Sequence, residues 1–235
     1  MLTDIGRQRS SNEDAAAVLP RAAGLDSGAI VCDGVGGGAA GEVASRIAVD
    51  SVTACLTSGR GDIAERLGAA IADANTAVRA YAHKHLDRAA SGSTVVVAVV
   101  HAARLTVAHV GDSRAYLLRD GALTPLTHDH SFVAELVRAG KIAAADAASH
   151  PMRGGLTRAI GVTEAVIPDV SEHDLKPGDV VLLCTDGLHS YASDAEIGAA
   201  IGPDIARSAR ALVDLVNERG GTDNVSVALY REEAR

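Results

Sequence analysis

The stretch SGSTVVVAVVHAARLTVAHVGDSRAYLLRDGALTPL, residues 91–126, constrains the fold more than any other part of the chain. Its apolar runs read as strands over 93–101, 104–110, 114–119 and 122–126. With such short connections the stretch reads as a meander. Asp120-Gly121 sits between two of the runs, a dipeptide suited to a tight hairpin turn.

Around this meander the pattern alternates. Residues 29–32 read as a short buried strand. Two helices are predicted over 39–56 and 62–88; on the second, Ile63, Leu67, Ile71, Ala74 and Val78 recur at three or four residues. Residues 131–150 change character, a helix followed by an Ala-rich segment, and read as a flap over a site. Strands return at 166–172 and 179–184, with Pro177-Gly178 turning between them. Helices follow near 193–201 and 204–219; Pro203 suits a helix start and Gly220 a C-terminal cap. A last strand is expected over 224–230. Hairpin connections favour antiparallel sheets over a doubly wound parallel one. No linker or repeat divides the chain, so residues 1–235 read as a single domain.

Composition removes several function classes. Aromatic residues are 2% of the chain, so Val, Ile, Leu and Ala must fill the core. The net charge is −8 and no Lys/Arg run stands out, which argues against nucleic-acid binding. Cys32, Cys55 and Cys184 form no CxxC pair and read as thiols in a reducing compartment. The N-terminus lacks the apolar core of a signal peptide, and no window reaches the ~18 apolar residues of a membrane span. A cytoplasmic location is expected.

Acidic residues share one context. Asp33 follows GAIVC, Asp112 follows LTVAHVG, Asp186 follows DVVLLCT and Asp223 precedes NVSVALY. Glu13-Asp14 precedes another apolar run. Each lies at one end of a strand, and strand ends on a common sheet edge converge. Gathered carboxylates repel and need a cation, and hard oxygen ligands suit Mg²⁺ or Mn²⁺. Gly after Asp33 and after Asp186 lets the backbone turn so that a carbonyl faces an ion. Singly, Asp before Gly is also an ordinary turn residue. The loop Gly34–Gly38 loosely fits a dinucleotide fingerprint, but Asp33 at its mouth opposes a pyrophosphate, and no Gly-Lys-Ser/Thr follows.

The segments TDIGRQRSSNEDA, VCDGVGGGAAGEVAS, SGSTVVV, AHVGDSRAYLLRDGALTPLTHDHS, LTRAIG, GDVVLLCTDGL and GGTDNVSVALY occur in an order that resembles the bacterial metal-dependent Ser/Thr protein phosphatases of type 2C. The likeness runs over residues 3–230. It implies an α+β fold, an αββα sandwich of two packed antiparallel sheets flanked by helix pairs. It also implies two Mn²⁺ or Mg²⁺ ions and hydrolysis of phosphoserine and phosphothreonine in proteins without a covalent phospho-enzyme. On that pattern Asp33 bridges both ions, the Gly34 carbonyl ligates one, and Asp186 and Asp223 hold the other. These three aspartates are the expected catalytic carboxylates. Glu13 or Asp14 acts at the second ion. Asp112 matches a ligand for a third, weaker ion shared with Asp186, and Arg9 matches the arginine that grips the phosphate. The implied partners are phosphoproteins, including a Ser/Thr kinase or its substrates, with the enzyme a monomer.

Three departures stand out. Val35 occupies a position where some eukaryotic members carry a proton-donating His. Ser190 stands where many members have an Asp that would assist the third ion. The strand before Thr3 is short. Two other readings remain open at this level: a non-catalytic phosphoprotein-binding regulator on the same fold, and a nucleotide-binding α/β protein. His128-Asp129-His130 precedes the flap helix, with Asp129 or Ser131 as its cap. His83 and His85 read as solvated, and Arg158 as structural.

Overall fold

The computed structural model describes residues 1–22, 24–36, 39–59, 61–85 and 91–233. In chain order the strands are β1 (Leu2–Asp4), β2 (Asp14–Leu19), β3 (Ser27–Val35), β4 (Gly92–Ser93), β5 (Val95–His101), β6 (Arg104–Val110), β7 (Arg114–Arg119), β8 (Ala122–Pro125), β9 (Asp169–Asp174), β10 (Val180–Cys184) and β11 (Val225–Arg231). The helices are α1 (Ala39–Ser58), α2 (Ile63–Lys84), α3 (Phe132–Arg138), α4 (Asp186–His189), α5 (Asp194–Ala200) and α6 (Ile205–Glu218).

The strands form two antiparallel sheets. One has the order β1-β11-β10-β7-β8; the other runs β2-β3-β5-β6-β9, with β4 also paired to β3. The meander is therefore divided between sheets: β5 and β6 lie in one, β7 and β8 in the other. Strand periodicity explains how this becomes four layers. Successive side chains of β5 point to opposite faces. Val95, Val97 and Val99 pack with Ala48, Val52, Leu67 and Ile71 of α1 and α2, whereas Val96, Ala98 and Val100 meet Leu117, Val181 and Leu183 of the facing sheet. Both faces are covered, so the run VVVAVV is apolar throughout instead of alternating. A third cluster seats Tyr116, Leu182 and Val227 against Ile197, Leu212 and Val216 of α5 and α6. The result is the expected αββα sandwich.

Helix starts follow local chemistry. Asp62 accepts from the Glu65 N–H, and Ser193 forms a capping box with Glu196. Asp204 accepts from the N–H groups of Ala206 and Arg207, so Pro203 lies just before the cap and not inside the helix. Gly220, at φ 107°, follows Arg219, the C-cap of α6, as the expected stop.

Several boundaries differ from the sequence reading. The strand expected over 93–101 breaks at Thr94, whose side chain serves a neighbouring strand instead. The strand expected over 166–172 runs from Asp169 to Asp174. α2 ends at Lys84, and residues 86–88 of the expected helix lie outside the described residues. The one-turn helix α4 and the strand β2 had no assignment of their own. The cysteines are free thiols, Cys32 and Cys184 buried. Among the described residues no helix is long and apolar enough to cross a membrane.

Candidate active site

The expected acids do gather at one end of the sandwich, and strand pairing is the cause. Asp14 and Asp33 are register partners in β2 and β3. Asp112 lies just beyond β6, Asp186 opens α4 after β10, and Asp223 precedes β11. The Asp33 and Asp186 carboxyls abut. Burial, then the charges of Asp14, Asp186 and Asp112, push the Asp33 carboxyl well above the usual carboxylate range. Burial also lifts Asp14 to about 7, with Asp186 and Asp223 adding to the rise and Thr185 opposing it. Asp112 is raised to about 8 by burial, Asp186 and Asp129, and Asp186 is raised by burial and Asp223.

Two oxygens in this group, Asp14 Oδ1 and Asp186 Oδ1, are buried with no hydrogen-bond partner among the described residues. Buried acceptors without donors are costly. Convergent, mutually repelling carboxylates with spare oxygens are what a hard divalent cation satisfies, so the residues present fit such an ion.

Asp14 and Glu13 point differently. The Asp14 carboxyl joins the cluster and accepts from Thr185 Oγ1 at 2.9 Å. The Glu13 carboxylate lies against Gly41 in the first turn of α1, where a Cβ would strike Glu13 Oε2. Gly34 is not a turn, as its place after Asp33 suggested. It is extended backbone within β3, paired with Ser93, and its N–H donates to the Glu13 carbonyl at 3.1 Å. A Cβ there would run into the Gly41 and Glu13 carbonyls, so close approach of three segments is what requires glycine. Gly187 likewise lies in the helical turn α4, against the Asn224 carbonyl.

Arg9 sits on the loop between β1 and β2, half-exposed, with Nη2 2.9 Å from Asp223. Asn224 fixes this loop. Its Nδ2 donates to the carbonyls of Ile5 and Ser11 at 2.9 and 3.0 Å, and its Oδ1 accepts from the Glu13 N–H at 2.8 Å. Thr94 Oγ1 accepts from the Asp33 N–H at 2.9 Å and contacts Ser113 Oγ at 2.7 Å. Thr185 Oγ1, besides serving Asp14, accepts from the Ser226 N–H at 3.0 Å. Sequence reasoning did not single out Thr94, Ser113, Thr185 or His189. Asn224 figured only as a strand cap. Ser113, Thr185 and Asn224 share one signal, a polar residue beside an acid at a strand end, which Thr94 and His189 lack.

The segment HDH resolves by role. Ser131, not Asp129, caps α3. Asp129 instead receives Arg114 through two bonds of 2.7 Å. The flap segment is tied at its base: Phe132 N–H donates to the Gly155 carbonyl at 2.8 Å and Thr157 N–H to the His130 carbonyl at 2.9 Å. Arg158 binds Asp169 at 2.7 Å. β3 pairs antiparallel with both neighbours, so the glycine loop after it is not the parallel βαβ crossover of a dinucleotide fold. Gly37 and Gly38 of that loop lie outside the described residues.

Two packed antiparallel sheets between helix pairs, with carboxyls of both sheets meeting at one end, define a class: the αββα sandwiches with an acidic end. Comparison with known proteins narrows it. The family model for Protein phosphatase 2C matches residues 6–227, and the chain belongs to that family. It is 39% identical over 230 residues to the Ser/Thr protein phosphatase PstP of Mycobacterium tuberculosis, covering 97% of this chain and 43% of that one. The chain therefore spans less than half the length of this mycobacterial relative. A putative protein phosphatase 2C-type of Streptococcus pyogenes is 36% identical over 239 residues, covering 99% of this chain and 96% of the relative. The crystal structure of the Mycobacterium tuberculosis phosphatase PstP/Ppp superposes with a TM-score of 0.90 at 37% identity, over 99% of this chain and 97% of that one. The catalytic domain of PstP in complex with two manganese ions gives a TM-score of 0.86 at 35% identity, over 97% and 94% of the two chains.

Proposed function

We propose that this chain hydrolyses phosphoserine and phosphothreonine in proteins, with Mn²⁺ or Mg²⁺ as cofactor and residues 1–235 acting as one catalytic domain. Its substrates are then the products of a Ser/Thr kinase. The observation that carries the reading is the convergence of Asp14, Asp33, Asp112 and Asp186 at one end of the sandwich, where burial raises all four carboxyls and the Asp14 Oδ1 and Asp186 Oδ1 atoms stay without a partner among the described residues. The manganese complex of a relative over nearly the whole chain supports the choice of ion.

The residues divide the work as follows. Asp33 would bridge two ions, helped by the Gly34 carbonyl; Asp186 and Asp223 would hold one of them. Asp14 or Glu13 would act at the second ion, Asp14 from within the cluster and Glu13 from its place against Gly41 of α1. Asp112 would serve a third, weaker ion together with Asp186. When bound, the ions acidify and orient a water for in-line attack and offset charge on the phosphoryl oxygens. Arg9 supplies a planar fork for two phosphate oxygens, which a Lys would not copy. Asn224 holds the Arg9 loop in place through backbone bonds to both of its ends. Val35 carries no proton to give, so water or another group must protonate the leaving alkoxide. Cys32, Cys55 and Cys184 take no part.

The test is turnover of a phosphothreonine peptide and of p-nitrophenyl phosphate with Mn²⁺. Asp33→Asn should lose more than the roughly 100-fold that removal of an outer partner of a metal ligand costs. Wild-type protein without turnover, or Asp33→Asn with wild-type rates, overturns the reading. Binding of phosphoprotein without turnover would mark a non-catalytic regulator.

A further inference from the structure

Beside the carboxylate cluster lies a second group of titratable side chains. Ligand atoms of His109, His130 and Asp169 fall within 4.8 Å of one another, a grouping that resembles a transition-metal site. Hydrogen bonding decides against it. The Gly111 N–H donates to His130 Nδ1 at 3.2 Å, so the neutral ring carries its proton on Nε2. That Nε2–H faces Asp169 Oδ2 at 3.2 Å and has no lone pair for a metal. His109 donates from Nε2 to the His128 carbonyl at 2.9 Å and stacks on His130 at 4.4 Å. Asp169 is already neutralised by Arg158 at 2.7 Å.

His130 instead brackets a backbone. Its own N–H donates to the Gly111 carbonyl at 3.0 Å, so ring and main chain both hold Gly111. Gly111 lies at φ 106°, and a Cβ there would strike Thr94. One residue on, the Asp112 carbonyl lies 3.0 Å from His189 Nε2. A carbonyl only accepts, so His189 is the donor. Ser113 Oγ contacts Thr94 Oγ1, which accepts from the Asp33 N–H. The Asp112 peptide is thus gripped from both sides by bonds to its backbone, and none of them occupies its carboxylate.

We propose that His130 and His189 are positioning residues for Asp112, clamping the Gly111–Asp112 backbone so that the carboxylate is presented to a third divalent cation without the acid that Ser190 replaces. The proposal rests on the assignment of Asp112 made under the proposed function. It also gives the base of the flap a direct tie to the metal end, because His130 immediately precedes Ser131, the cap of α3. Removal of an outer partner of a metal ligand typically weakens metal binding by about 10–100-fold, and that is the loss expected here, confined to the weakest ion.

The test is Mn²⁺ binding to the full chain, followed by calorimetry and by electron paramagnetic resonance of free Mn²⁺. His130→Leu and His189→Leu should weaken the last binding phase about 10–100-fold and leave the tighter phases unchanged. Adding either leucine change to Asp112→Ala should bring no further loss, since residues that act through one another are not additive. His130→Asn keeps an acceptor near the Nδ1 position, and His189→Gln keeps a donor near the Nε2 position; both should restore wild-type binding. Should a leucine variant not fold, paired amides decide. His130→Gln and His189→Asn should lose the weak phase that His130→Asn and His189→Gln retain. Folded variants with wild-type binding, additive losses, equal behaviour of the paired amides, or an Asp112→Ala variant that binds as wild type would each overturn the proposal. A wild type that binds only two ions would overturn it while leaving the two-ion reading intact. Asp33→Asn run alongside separates the cases: if it keeps the tight phases and turnover, the proposed function fails instead.

Discussion

Polar side chains hold the segments that carry the acids: Thr94 and His189 bond to the backbone of Asp33 and Asp112, and Thr185 to one oxygen of Asp14. Asn224 is the clearest case. It is buried and makes three bonds to main-chain groups of Ile5, Ser11 and Glu13. Asn224→Ala would leave those groups unpaired, at about 1–3 kcal/mol for each that stays dry. We expect thermal melting to fall by several degrees and KM for a phosphopeptide to rise, because the Arg9 loop loses its anchor. A melt and a Michaelis curve on the same preparation check both. Arg9→Lys isolates the fork from the charge. It should raise KM about tenfold while the melting temperature stays put, since Arg9 is half-exposed and exposed ion pairs contribute little. Residues such as Asp33, Asp112 and Asp186 were legible in the sequence because an acid beside Gly at the end of an apolar run is unusual in combination. Thr94, Thr185 and Asn224 were not, since Ser, Thr or Asn near a strand end has many ordinary uses. That Asp14 stands opposite Asp33 is set by the pairing register of β2 on β3, which no single strand encodes.

Elements were read well where periodicity is long and poorly where pairing decides. α1 and the meander carry their own signal. β1 has only three residues and exists because it pairs with β11. The break at Thr94 follows from a side chain turned to Asp33, which a run of apolar residues conceals. Caps offer a test that leaves chemistry alone. Asp204 is exposed, remote in the fold from the acids, and accepts two N–H groups at the start of α6. Asp204→Ala should cost about 1 kcal/mol in denaturant titration with kcat unchanged, and an altered kcat would show that α6 couples to the site. The flap calls for the opposite pattern. Its base is fixed by Phe132–Gly155 and Thr157–His130 backbone bonds, while the 3-10 helix over Ala144–Ser149 buries no residue. Replacing 141–150 with a Gly/Ser segment should shift preference among phosphopeptides more than it changes hydrolysis of p-nitrophenyl phosphate. Equal losses on both would count against a role in substrate choice.

At the scale of the molecule, two sheets are packed so that their acidic strand ends meet, which sets fold stability against ionisation of the site. The direction follows from proton linkage. In the unfolded chain these carboxyls titrate near ~3.9. In the metal-free fold Asp14 is raised to about 7 and Asp112 to about 8, with Asp33 and Asp186 raised as well, chiefly by burial. Between those limits the folded state binds more protons than the unfolded one, so stability falls as pH rises. The fall begins above the unfolded value and levels off once the folded groups have ionised, near pH 8. This is the reverse of a salt-bridged aspartate such as Asp179, which Arg119 holds below its ordinary value and whose contribution is lost on acidification. A divalent ion that binds only the ionised, folded cluster adds stability by mass action, about 2.7 kcal/mol at a hundred times its dissociation constant, and most where the carboxyls are charged. We therefore expect the melting temperature in a chelator to drop by at least about 5 °C between pH 5 and pH 8, and saturating Mn²⁺ to flatten or invert that slope. Asp33→Asn removes one charge from the group, so the chelated variant should lose less stability over the same interval and gain less from Mn²⁺. A flat profile in chelator, or a Mn²⁺ shift that is the same at pH 5 and pH 8, would mean that the carboxyls are not the origin of the coupling.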